Sequence, residues 1–227
     1  MKLSISMTRR EALLGWTYLL ISTLVLPSLI SAAGSRLKLS VTEHNIVYFC
    51  VNFISVVAIF YRFLWKSLQV VREKPWRCLR CAVQGFIIYF GSMWLLSTLI
   101  IPWIDPNFSN INDDSIAEMV QEHTGLFALC TVLLVPVAEE VLFRGLLFQG
   151  FYRKNPLLAY CLTTVCFALI HLIGYIGSID WITLCICFMQ YLPAGIAFAS
   201  AYAASDTIAT PIFMHIIINL IGVSALR

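Results

Sequence analysis

Charge is what this sequence lacks most. Only 12% of its residues are Asp, Glu, Lys or Arg, and 60% are hydrophobic. A soluble domain carries about a quarter charged residues, so a soluble fold is excluded. Strict alternation of polar and apolar positions is lacking too. Runs such as FALCTVLLVPVA in residues 127–138 are apolar throughout, whereas a membrane β-barrel needs a polar position at every second residue. Internal repeats and low-complexity segments are not found. What remains is a chain of mean hydropathy +0.85 in which uncharged stretches alternate with short charged ones. In lipid every backbone polar group must bond within its own segment. The sequence therefore predicts an all-α fold, a polytopic transmembrane helical bundle of about seven spans (six to eight).

The spans expected are 12–33, 45–65, 82–104, 124–152, 156–176, 180–203 and 207–225. Two polar stretches separate them most clearly. Residues 66–81 read as a basic loop with Lys66, Arg72, Lys74, Arg77 and Arg80. Residues 105–123 read as an acidic loop with Asp105, Asp113, Asp114, Glu118 and Glu122, and no Lys or Arg. Positive loops stay in the cytoplasm, which puts 66–81 inside and 105–123 outside. Lys2, Arg9 and Arg10 put the N-terminus inside, and Arg153 and Lys154 fall inside again. Arg36 and Lys38 run against the rule. Seven spans leave the C-terminus outside. Residues 1–33 also have the basic start, apolar run and Ser31-Ala32-Ala33 of a signal peptide, but the length of the run favours a retained first helix.

Of eight cysteines, Cys50, Cys130, Cys161, Cys166, Cys185 and Cys187 lie in apolar spans and are expected to act as small buried hydrophobes. Cys78 and Cys81 form a single C-x-x-C in the basic loop. No second pair follows, so a structural zinc site is not indicated. The net charge of +3 points to anionic lipid as the contact of the basic loops. Nothing suggests nucleic acid.

Ionisable residues inside a span cost about 2.5–3.5 kcal/mol each on insertion scales and mark function by default. The fourth span carries Glu139, Glu140 and Arg144, the fifth His171, and the seventh His215 and Asn219. Glu140 and Arg144 are four apart and pair on one helix face. Glu139 lies about 100° further round and meets a different neighbour. Counted from the turn at 153–155, Glu139 is 14 residues before Arg153 and His171 is 16 after Asn155. At ~1.5 Å per residue these are depths of ~21 and ~24 Å on antiparallel neighbours. His215 and Asn219, four apart, share a face. They can serve as cross-helix packing glue, and Glu139, Glu140 and Arg144 can form a purely structural knot. A carboxylate and an imidazole can also polarise water while a second imidazole and an amide donate to an oxyanion. H-E-x-x-H is absent, which excludes the usual zincin helix.

Glu139-Glu140-x-x-x-Arg144, Phe167-x-x-x-His171 and His215-x-x-x-Asn219, in this order on successive spans, resemble the CPBP family. It comprises type II CAAX-prenyl endopeptidases and bacteriocin-processing or immunity membrane proteases, also called Abi. The stretch from Gly195 through Pro211 and Ile212 to His215 also fits. The resemblance covers roughly 120–222. It implies an intramembrane endopeptidase in the cell membrane: residues 120–227 a catalytic helical core, residues 1–119 N-terminal transmembrane helices with the basic loop. Carried over, Glu139 activates water, His171 assists, His215 and Asn219 stabilise the oxyanion, and Arg144 holds Glu140. The family is often labelled metalloprotease. A zinc ion, if used, takes Glu139, His171 and His215, but a metal-free reaction is favoured because Asn is a poor zinc ligand. The expected partner is a membrane-associated peptide or protein substrate: a peptide leader, a bacteriocin-related chain or a CAAX-type tail. The alternative is a non-enzymatic immunity or transport protein that keeps the fold.

Overall fold

The computed structural model describes residues 3–225; Lys2, counted above with the cytoplasmic charges, lies outside them. Among the described residues the chain forms helices and no strand. Six helices are long and apolar enough to cross a membrane: α1 (Arg9–Leu37), α2 (Val41–Glu73), α3 (Pro75–Ile104), α5 (Gly125–Tyr152), α6 (Pro156–Tyr175) and α7 (Trp181–Ser205). A shorter apolar helix, α8 (Ala209–Ala225), follows them. Between α3 and α5 lies α4 (Ile111–Glu122). The protein is a multi-pass membrane protein.

Two stretches expected as loops are helical. Residues 66–81 are the end of α2 and the start of α3, broken at Lys74 (φ −133°, ψ 52°). The reason is local: Pro75 keeps the residue before it out of the helical region and opens the next helix at its first position. Cys78 and Cys81 are therefore buried on α3 rather than displayed in a loop. Most of the acidic stretch 105–123 is α4, started by Asn110, whose side chain accepts from the Asn112 and Asp113 amides. Burial pushes the Asp113 carboxyl above the usual range, and neighbouring Asp114 adds to this. The cysteines divide as well. Cys130 and Cys187 are buried as expected, but Cys161 and Cys185 lie on the outer, lipid-facing surface.

The bundle has two chemically distinct ends. At one, Arg77 donates from Nε and Nη2 to the Ala204 carbonyl at 3.0 and 2.7 Å. Thr207 Oγ1 donates to Ser67 O at 2.8 Å, and Gln149 Nε2 to Ile5 O at 2.6 Å. This end gathers the basic residues. At the other, Thr42 bonds Glu122 and Tyr175 Oη donates to Ser115 at 2.9 Å. This end gathers the acidic residues of α4, with Arg36 and Lys38 the exceptions. Trp65 and Trp76 face outward near the basic end, Trp103 and Trp181 near the acidic end, as interfacial aromatics do.

Proline shapes three of the spanning helices in one way. Pro27, Pro102 and Pro136 each follow a five-residue π-helical turn: Ile21–Val25, Leu96–Ile100 and Cys130–Leu134. A proline has no N–H and its ring collides with the carbonyl four residues back. The preceding turn widens, and the residue just before each proline bonds five back: Leu26 to Ile21, Ile101 to Leu96, Val135 to Cys130. In that register the proline's own partner carbonyl has no donor: Ser22 for Pro27, Thr131 for Pro136. Tyr48 Oη donates to the first at 3.2 Å and Asn219 Nδ2 to the second at 3.0 Å. A related repair holds α2, which kinks at Phe60 (φ −107°, ψ 20°). Glu11, buried in α1, accepts the Phe63 amide with Oε1 at 3.0 Å.

The α1 and α2 helices share a core with α5 and α7, in which Phe60 and Phe63 meet Ala138, Val141, Leu142 and Tyr202. Gly195 of α7 lets it approach α6: a Cβ there would lie 2.6 Å from Thr164 Cγ2 and 2.9 Å from its Cα. Because the second atom is backbone, a helix must move. Gly195→Ala is expected to lower stability by ~1–3 kcal/mol, seen as a lower unfolding midpoint in detergent. Gly91→Ala, where a Cβ meets nothing within 4 Å, is expected to leave it unchanged or raise it.

Candidate active site

The polar residues of the middle of the bundle meet between α5, α6, α7 and α8. Arg144 is fully buried. Its Nη1 donates to Glu140 Oε1 at 2.8 Å and its Nη2 to the Gly195 carbonyl at 3.4 Å. The faces of the guanidinium are covered by aromatic rings, Phe167 at 4.2 Å and Phe198 at 5.1 Å from ring centre to Cζ. A buried cation survives only when paired and hydrogen-bonded, and ring quadrupoles add attraction. The eight-residue π-helical stretch Val141–Phe148 presents Arg144 inward; such widened turns occur mostly at functional sites.

Glu140 serves two partners. The same Oε1 that holds Arg144 accepts from His215 Nδ1 at 3.0 Å. The His215 ring stacks on Phe198 with centroids 4.8 Å apart. The i, i+4 pair is where spacing placed it; the bond to His215 was not expected. His171 is fixed separately. Its Nδ1 donates to the Phe167 carbonyl at 2.8 Å, and its ring stacks on Tyr191 at 4.3 Å. Since a carbonyl only accepts, the proton is on Nδ1 and the Nε2 lone pair is free.

Both imidazoles turn Nε2 toward one atom. Glu139 Oε2 lies 4.0 Å from His171 Nε2 and 3.9 Å from His215 Nε2. Among the described residues Glu139 Oε2 is buried and takes no hydrogen bond; the same holds for Glu140 Oε2 and Arg144 Nε. Glu139 thus has no Arg partner, while Glu140 one residue on is neutralised. The two adjacent carboxylates face different surroundings.

Asn219, one turn beyond His215, hydrogen-bonds elsewhere among the described residues. Its amide closes the Thr131 carbonyl that Pro136 leaves open, which is the cross-helix packing role. One N–H remains uncommitted. Four residues that sequence reasoning passed over contribute here: Phe198 and Tyr191 beside the histidines, and Tyr48 and Asn52 of α2, which line a cavity that includes Glu139. Polar residues in the apolar run of α2 were the available signal for the last two. Nothing in sequence spacing distinguished the aromatics from ordinary core.

Residues 121–221 match the family model described as Type II CAAX prenyl endopeptidase Rce1-like, and all six polar residues fall in that stretch. The chain is also similar to a Bacillus subtilis (strain 168) protein named "Putative membrane peptidase YdiL", 25% identical over 139 residues. That alignment covers 61% of this chain and 52% of the relative, about half of the relative's length. No solved structure matches the chain. The fold is that of a polytopic membrane protein, and its C-terminal segment, residues 121–221, is similar to the type II CAAX prenyl endopeptidase Rce1-like family.

The Arg144 knot generates a test. Removing one partner of a buried pair costs ~3–5 kcal/mol because the other charge is stranded. Glu140→Ala is expected to cut the folded yield and lower the unfolding midpoint. The double variant Glu140→Leu/Arg144→Met is expected to regain part of the loss, measured by size-exclusion recovery and thermal unfolding. Equal stability of the single variant and the parent would show that the pair is dispensable.

Proposed function

We propose that this protein is an intramembrane endopeptidase that hydrolyses a peptide bond with water activated by Glu139, without a metal ion. The observation that carries this reading is the buried Glu139 Oε2, free of protein hydrogen bonds and flanked by two imidazole Nε2 atoms at 4.0 and 3.9 Å. A base must reach water and must not be tied to a permanent cation such as a guanidinium. Glu139 meets both conditions because Glu140 takes Arg144.

In the proposed reaction Glu139 removes a proton from water as its oxygen bonds to the scissile carbonyl carbon. The carbonyl electrons move onto oxygen. His215 stabilises that oxyanion in its protonated form, with Nδ1–H held by Glu140 and Nε2–H presented to the site. Asn219 adds its remaining N–H, and His171 Nε2 accepts a hydrogen bond from the attacking water. The C–N bond then breaks, and the proton held by Glu139 passes to the leaving amine. General base catalysis of this kind is worth about 10²–10⁴-fold.

The donor set supports the metal-free form. Ligands of a tetrahedral zinc with bonds of 2.0–2.1 Å lie about 3.3 Å apart, and the Nε2 atoms stand further than that from Glu139 Oε2. Using Glu139 as a ligand also leaves no carboxylate to act as base. The substrate proposed is a membrane-associated peptide segment. The family description favours a CAAX-type tail, with a peptide leader or a bacteriocin-related chain as the alternative substrates.

Reconstituted protein is expected to cleave a quenched-fluorescence peptide set that includes farnesylated CAAX peptides and leader peptides. Glu139→Ala is expected to reduce cleavage of any peptide cut by about 10²–10⁴-fold with the unfolding midpoint retained. Full activity in Glu139→Ala would refute the assignment, and loss confined to Glu140→Ala at equal folded yield would exchange the roles of the two carboxylates. Chelator treatment is expected to leave the rate within twofold, and elemental analysis to find zinc well below one per chain. One zinc per chain, removed with loss of cleavage and restored on re-addition, would contradict the metal-free mechanism.

A further inference from the structure

Beside Glu139 lies a cavity of about 30 Å³. Its walls come from α1, α2 and α5, with Ile170 alone from α6 and no residue from α8. Its polar lining is Ser22 and Thr23 of α1, Tyr48 and Asn52 of α2, and Glu139 itself. A water molecule needs roughly 10–15 Å³ of such volume and two to four polar partners, so the cavity fits one or two. None of the four α1 and α2 residues falls in the family-matched stretch 121–221.

The hydrogen bonds around this cavity are directional. Tyr18 Oη donates to Asn52 Oδ1 at 3.0 Å, which fixes the amide and leaves its NH2 without a partner among the described residues. Tyr48 Oη spends its proton on the Ser22 carbonyl at 3.2 Å, the one Pro27 leaves open, and keeps lone pairs to offer. Thr23 Oγ1 is turned to the Leu19 carbonyl at 2.7 Å. One uncommitted donor (Asn52), one acceptor (Tyr48) and one carboxylate (Glu139) thus border a space the size of water. Asn52 is buried. An amide NH2 in the middle of a membrane helix has a cost that a bound water offsets.

We infer that α1 and α2 build a water-holding site for Glu139, with Asn52 as the positioning residue that orients the water and Tyr48 as its acceptor. The inference rests on the proposed hydrolysis for its purpose but not for its geometry. Water is scarce at this depth, and a base that consumes one molecule per turnover needs resupply. The N-terminal helices, which carry none of the family's motif residues, acquire a role in the reaction: they keep the nucleophile next to its base.

The test uses the full chain in lipid nanodiscs. At a pH low enough for Glu139 to carry a proton, its carboxyl C=O stretch, assigned by its loss in Glu139→Gln, is followed by infrared spectroscopy after transfer to D2O. In the parent the band is expected to exchange within the mixing time. Asn52→Leu, near in size but apolar, is expected to slow exchange at least tenfold, and Asn52→Ser, which keeps a donor, to restore most of it. For any peptide found to be cleaved, Asn52→Leu is expected to lower kcat about tenfold and leave KM within twofold. Should Asn52→Leu fail to fold, Ser22→Val narrows the same cavity from α1 and is expected to slow exchange likewise. Exchange as fast as the parent in a folded Asn52→Leu or Ser22→Val would overturn the inference. Slowed exchange with no peptide cleaved by the parent would support the water site while counting against the endopeptidase reading.

Discussion

The arrangement of this bundle depends on one charge that cannot leave. Arg144 is fully buried in the middle of a membrane protein, and its guanidinium must be satisfied from within. Glu140 supplies the counter-charge one turn away, Gly195 a carbonyl, Phe167 and Phe198 their ring faces. These partners come from three helices, so satisfying Arg144 fixes α5, α6 and α7 together. Gly195 can offer its carbonyl at that range because it lacks a side chain and sits against Thr164. Glu140 extends the same constraint to α8 through His215. What the knot leaves over is Glu139, adjacent in sequence and turned to the histidines. One carboxylate is committed so that its neighbour is not.

A second constraint is backbone satisfaction. In lipid an open carbonyl has no water to turn to. Pro27 and Pro136 each leave one open, and the side chains that close these two do more than repair. Asn219 ties α8 to α5 at Thr131, which holds the helix that carries His215. Tyr48 ties α2 to α1 at Ser22, which forms a wall of the cavity beside Glu139. Helix irregularity and site construction are therefore the same event seen at two scales. The kink in α2 at Phe60, closed by Glu11, belongs to the same pattern.

Much of this was legible before the fold was known. Long uncharged runs imply spanning helices because no other structure satisfies a backbone in lipid. The spacing of Glu140 and Arg144 implied their pair, and counting residues from the turn at 153–155 brought Glu139 and His171 to one depth. Composition misled where charge was equated with loop. Residues 66–73 are polar yet continue α2, and α4 is acidic yet helical, because Asn110 and the Lys74-Pro75 step set the helix boundaries rather than hydropathy. The bond from His215 to Glu140 was not legible, since it depends on how α8 is rotated. Asn219 could be read as either an oxyanion donor or packing glue, and its partner in the fold is a backbone carbonyl that only the widened turn before Pro136 exposes. Asn52 and Tyr48 lie far upstream of the motif residues and became visible only when α2 was seen beside α5.

In the proposed reaction water activated by Glu139 is the nucleophile, and no side chain bonds to the substrate. Single-turnover cleavage in H2¹⁸O, followed by mass spectrometry of the products and of the intact protein, tests this most directly. One ¹⁸O is expected in the new carboxylate of the product, with no acylated protein at any time and no labelled product when Glu139 is replaced by Gln. A covalent peptide adduct on the protein, or labelled product formed at the parent rate by Glu139→Gln, would contradict it.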